Sequence, residues 1–97
     1  MKLLDDGMEL EIRFLHAPAI KIHRKREELT LGKKTWKFSE IKGFWKNYRF
    51  RCKKKVFYIV MLTEKEMIRL TPEIDEYDID EIVKYLRETL GDDKYAR

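Results

Sequence analysis

The chain has 97 residues, 43% hydrophobic and 12% aromatic, a balance that places it among globular domains with material for one packed core. Its single cysteine, Cys52, excludes an intramolecular disulfide and fits a reducing compartment, and its longest apolar run, Val56 to Leu62, falls far short of the roughly 20 residues that cross a bilayer as a helix. The net charge of +4 conceals a segregation: residues 1–20 carry −2, residues 21–55 carry +11 and residues 56–93 carry −7, a polarity that bears on partners rather than on fold.

Charged residues make up 41% of the chain, against about 25% in an ordinary domain, while glutamine is absent and Asn47 is the only asparagine. That bias fits a heat-adapted source. Asp5, Asp6 and Gly7 interrupt the one early apolar stretch that a secretory signal would need, so a cytoplasmic protein is expected, with a peripheral membrane location left open.

In chain order, Met8-Glu9-Leu10-Glu11-Ile12-Arg13-Phe14 alternates without a fault and predicts a strand with Met8, Leu10, Ile12 and Phe14 facing a core. Ala17-Pro18 breaks it, and Ile20-Lys21-Ile22-His23 resumes the alternation as the second arm of a hairpin. Leu29-Thr30-Leu31 ends at Gly32, Trp36-Lys37-Phe38 puts two aromatics on one face, and Ile41-Lys42-Gly43 marks an interruption. In the next strand Phe44, Tyr48, Phe50 and Cys52 share the inward parity, broken only by Lys46, whereas Trp45, Arg49, Arg51 and Lys53 share the outward one. Lys53-Lys54-Lys55 then reads as a turn. The run Val56 to Leu62 predicts a strand covered on both faces, and Met67-Ile68-Arg69-Leu70 a last short strand before Pro72.

The period then changes, because Ile79, Ile82, Val83, Leu86 and Leu90 fall on one helical face and predict a helix over 79–90. Asp78 is its expected N-cap with Glu81 completing a capping box, Tyr77 staples onto Ile82, and Gly91 takes the C′ position. About seven antiparallel strands with one C-terminal helix, in a single domain over residues 1–97 with its core at 8–90, describe a mainly β barrel or sandwich capped by the helix.

The order of these elements, the Trp36-Lys37-Phe38-Ser39-Glu40-Ile41 turn and the close from Ile68 to Leu90 resemble the bacterial and archaeal pleckstrin-homology-like (PH-like) domains. The resemblance covers about Met8 to Leu90 and implies a roughly orthogonal seven-stranded sandwich whose helix caps one open end. It implies an interaction or assembly module rather than an enzyme. Eukaryotic relatives often hold phosphoinositides on a basic first hairpin, whereas the corresponding hairpin here, Arg13 to Arg24, has the short loop His16-Ala17-Pro18 and no loop lysine.

No residues converge in the pattern of a catalytic site, and no cofactor is expected. Cys52 beside Arg51 and Lys53 has the flanking charge of an activated thiol, but its inward parity reads as a small core residue. His16 and His23 read as surface histidines. The carboxylates Glu73 to Glu81 lack the glycine of a calcium loop, and those at the helix start suit its dipole, so no metal site is expected. The candidate binding face is basic: Trp45, Arg49, Arg51, Lys53, Lys54 and Lys55, joined by Arg24, Lys25 and Arg26 if folding brings the runs together. Such a face suits a protein partner or an anionic membrane surface, with nucleic acid as the alternative and a small hydrolase a distant third. Pairing of the basic block of one copy with Glu73 to Glu81 of another would give head-to-tail self-association.

Overall fold

Period-2 alternation over the first two-thirds of the chain and period-3.6 spacing at its end yield eight strands and one α-helix in the computed structural model, which describes residues 1–96. The elements are β1 (Lys2–Asp5), β2 (Glu9–Arg13), β3 (Ile20–His23), β4 (Glu28–Leu31), β5 (Lys34–Lys37), β6 (Ile41–Arg51), β7 (Lys54–Thr63), β8 (Met67–Arg69) and α1 (Glu76–Leu90), with 3-10 turns at Phe38–Glu40 and Asp92–Lys94. They form two antiparallel sheets, a five-stranded meander β1-β2-β3-β4-β5 and a three-stranded β6-β7-β8. Among the described residues neither sheet closes into a barrel. The chain divides into two compact units, one spanning Met1–Glu40 and the other starting at Ile41.

In the first unit the register sets Leu10 opposite Ile22, Ile12 opposite Ile20, Ile22 opposite Leu29 and Leu29 opposite Trp36, so one face of the meander is a continuous apolar layer. All six of these side chains are buried. The opposite face carries cross-strand polar pairs: His23 Nε2 lies 2.9 Å from Glu9 Oε2, and the hydroxyls of Thr30 and Thr35 are 2.9 Å apart. The β1–β2 turn is built by two aspartates. Asp5 Oδ1 accepts from the Gly7 N–H at 2.9 Å, and Asp6 Oδ1 accepts from the N–H groups of Met8 and Glu9 at 2.9 and 2.7 Å.

In the second unit β7 is the central strand, with β6 and β8 on either side. Phe44, Ile59 and Met61 on one sheet face are fully buried, as are Ile79, Ile82 and Leu86 of α1, which packs on β6 and β7. After Leu90, Gly91 turns the chain at φ 106°, and the following segment returns to the free edge of β6, where Tyr95 bridges Phe44 in parallel. Gly43 makes room for that return. A Cβ there would lie 3.1 Å from the Lys94 carbonyl oxygen.

Several expectations need correction. The described residues form eight strands, since Lys2–Asp5 adds an edge that four residues without alternation did not announce. Gly43 lies inside β6 at a register shift instead of ending a strand. Met8 is 56% exposed because β2 begins at Glu9, after the Gly7 turn. The β7 run is not covered evenly: Val60 is buried on the second face, but Leu62 is exposed. The helix starts one turn earlier than predicted, at Glu76, because Asp75 is the N-cap, its carboxylate accepting from the Asp78 N–H at 2.8 Å. Tyr77 therefore sits inside the first turn, 79% exposed, and staples nothing.

Two outcomes follow from these local structures. Asp75→Ala lowers unfolding free energy by about 1 kcal/mol in urea titrations, more than Asp78→Ala does; the reverse order would restore Asp78 as the cap. Hydrogen bonds from Arg24 and then from the Gly7 N–H hold the Asp5 carboxyl below its ordinary 3.8, and those from Glu9 and Met8 do the same for Asp6. A carboxyl lowered on folding stabilises the fold above its unfolded pKa, and the contribution is lost as pH falls through the folded one. Carboxyl-carbon NMR titrations then give midpoints under 3.8 for both residues. Midpoints at or above that value would contradict the turn geometry.

Candidate functional site

β6 and β7 stay in register from Gly43↔Leu62 to Arg51↔Lys54, and the hairpin closes through Cys52 and Lys53, at φ 50° and 65°. Two consecutive left-handed residues make the turn whose twist matches the flanking strands, and a lysine and a cysteine tolerate it at some cost in strain. The turn is therefore Cys52-Lys53, with Lys54 and Lys55 already in β7. Cys52 is exposed in that turn and takes no part in a core.

The register sorts the hairpin into two faces. Phe44, Lys46, Tyr48 and Phe50 share one with Met61, Ile59, Phe57 and Lys55, whereas Trp45, Asn47, Arg49 and Arg51 share the other with Val60, Tyr58, Val56 and Lys54. The parity read from sequence is thus correct, but its burial is not. Tyr48 and Phe50 are 49% and 65% exposed instead of buried. The cause is length: a 15-residue helix extends about 22 Å, and an 11-residue strand about 36 Å, so α1 cannot cover β6 to its end.

Lys46 marks where the cover ends. Its Nζ donates to Glu76 Oε2 at 2.9 Å and to Asp80 Oδ1 at 2.8 Å, tying β6 to the first turns of the helix. Beyond it, Tyr48 and Phe50 meet edge to face with centroids 5.9 Å apart, and the Lys55 ammonium lies 4.6 Å from the Tyr48 ring centre and 5.8 Å from that of Phe50. A shallow, mainly apolar recess of about 340 Å³ opens beside them, lined by Lys46, Asn47, Tyr48, Phe57, Tyr95 and Ala96.

On the other face Arg49 and Arg51 do not simply solvate the strand. Arg49 Nε lies 2.7 Å from Glu73 Oε2, Arg51 Nε 2.7 Å from Glu73 Oε1, and Arg69 Nη2 3.2 Å from Oε2. Glu73 is only 13% exposed at its side chain. Its Oε2 is buried and accepts no aligned hydrogen bond, so the short contacts to that oxygen are charge contacts whose N–H groups point elsewhere. The Arg69 guanidinium also stacks 4.1 Å from the Tyr58 ring centre. Trp45, expected to stand outward, is half-buried, and Trp36 is buried.

The second basic run lies in the first unit. There Arg24 holds both Asp5 oxygens, at 2.8 and 3.0 Å, and Arg26 stands 3.9 Å from Glu28, while Lys25 is exposed. Arg24 is a turn clamp before it is a binding residue. Comparison with protein-family models, with characterised proteins and with solved structures gave no match. No helix among the described residues is long and apolar enough to cross a membrane.

Sequence reasoning missed Tyr48, Phe50 and Arg69 as site residues, and set Glu73 in an acidic stretch facing another copy instead of under these arginines. The sequence carries one signal for the first two: Lys46 interrupts the apolar parity at the point where burial stops. Lys46 also yields a prediction, since hydrogen bonds from it to Asp80 and then Glu76 raise its pKa above 10.5. An ammonium raised on folding stabilises the fold below its unfolded pKa and ceases to do so as pH rises through the folded one. Lys46→Met therefore costs up to about 1 kcal/mol at neutral pH, and its deficit shrinks in denaturation series carried above pH 10.5. A deficit that is constant with pH would show that packing, not charge, sets the loss.

Proposed function

We propose that this chain is a non-enzymatic, PH-like binding module whose β6–β7 hairpin docks on an anionic membrane surface. The observation that carries the reading is the exposed Tyr48–Phe50 pair beneath Lys55, at the end of a hairpin whose turn and opposite face are cationic. Amphipathic aromatics favour the headgroup boundary, where the ring leaves water and neighbouring lysines meet lipid phosphates. Two antiparallel sheets followed by a C-terminal helix support the PH-like assignment, with β1 as an addition.

The distribution over both faces favours a membrane over nucleic acid. A single strand stacked on Tyr48 and Phe50 would meet one side of the ribbon and leave Arg49 and Arg51 on the other, whereas a headgroup layer surrounds an inserted hairpin on all sides. Head-to-tail self-association loses support for a different reason. Glu73, Glu76 and Asp80 are already engaged by cations of their own unit.

Flotation with phosphatidylcholine vesicles, with and without phosphatidylserine, tests the proposal. Binding appears only with the anionic lipid, falls as salt rises, and weakens about tenfold in Phe50→Ala. Stability of that variant stays within about 0.5 kcal/mol of the parent, because the ring is exposed. Equal recovery with neutral and anionic vesicles would remove the reading, and a shift of single-stranded oligonucleotides at low salt would favour the nucleic-acid alternative.

A further inference from the structure

The arginine face of the hairpin has a charge imbalance that its own protein contacts leave in place. Among the described residues Glu73 is the one carboxylate within ion-pair distance of Arg49, Arg51 and Arg69. Three guanidiniums bring about fifteen N–H donors, and one carboxylate offers roughly four acceptor positions. The cluster therefore keeps two positive charges and a surplus of donors. Lys54, opposite Arg51 in the register, adds a third charge on the same face.

The geometry orients that surplus. Arg49 and Arg51 each approach Glu73 through Nε, the inner nitrogen of the guanidinium, and their side chains remain 51% and 59% exposed. Arg69 is fixed from below by the Tyr58 ring and remains 45% exposed. Glu73 Oε2, buried and without an aligned donor, confirms that neither Arg49 nor Arg69 aims an N–H at it. A single, largely covered carboxylate thus gathers three planar forks at one spot on an exposed face.

We infer that Arg49, Arg51 and Arg69 form a site for a dianionic phosphate group, with Glu73 as the positioning residue that gathers them. Planar guanidiniums match phosphate oxygens in pairs, and two negative charges balance the excess that Glu73 leaves. The inference rests on the membrane-docking reading for the source of the phosphate, a lipid phosphomonoester, and not for its chemistry.

The experiment uses the full chain in two arms. Vesicles containing phosphatidic acid are compared with phosphatidylserine vesicles matched in surface charge, and inorganic phosphate is titrated while the arginine Nε–Hε NMR signals are followed. Phosphatidic acid binds about tenfold tighter, and phosphate shifts the signals of all three arginines. Arg51→Lys keeps the charge and loses the fork, so it removes the preference while phosphatidylserine binding persists. Glu73→Gln removes a negative charge, which would tighten a purely electrostatic attachment but here weakens phosphatidic acid binding. Should Glu73→Gln unfold, Arg51→Lys decides.

Equal binding of the two vesicle types, unchanged in Arg51→Lys and without phosphate-induced shifts, overturns the inference and leaves membrane docking intact. Phosphate shifts with no binding to either anionic vesicle support the site with a free phosphate as its ligand and overturn the membrane reading alone.

Discussion

The antiparallel pairing of β6 with β7 is the constraint on which the chemistry of the second unit depends. Its unbroken register from Gly43↔Leu62 to Arg51↔Lys54 decides which side chains share a face, and the left-handed pair Cys52-Lys53 fixes that register at the far end. A slip of one residue would place Arg49 and Arg51 on the aromatic face and dissolve the cluster around Glu73. The same pairing lets β6 extend past its helical cover, which turns a core parity into an exposed aromatic surface.

The segregated charge of the sequence is partly resolved inside that unit. Glu76 and Asp80, at the start of α1, neutralise Lys46, and Glu73 sits under Arg49, Arg51 and Arg69. Burying a carboxylate is costly unless cations accompany it, and close arginines meet that need at the largely covered Glu73. It does not need three. What remains after these pairings is concentrated toward the hairpin end, on Arg51, Lys53, Lys54 and Lys55.

The first unit shows the opposite economy. Its alternation is clean, its apolar layer is buried, and its charges pair across strands or within turns, as with His23 and Glu9 or Arg24 and Asp5. Of its basic run, Arg24 is committed to the β1–β2 turn, which separates it in role from the hairpin cations even though the two runs look alike in sequence.

Local periodicity was enough to read the strands centred on Leu10, Ile22 and Trp36, the central run of β7 and the helix with Gly91 behind it, because each of these depends on neighbours a few residues away. The parity of β6 was legible for the same reason. Burial was not, since it depends on where a helix some thirty residues later happens to begin. The N-cap moved from Asp78 to Asp75 because adjacent acidic residues compete for one role, and only the backbone path selects among them. Most of all, nothing near Arg49 in the chain announces Glu73: three arginines meet that carboxylate because β8 and the segment after it return along β7, a contact that tertiary pairing alone creates.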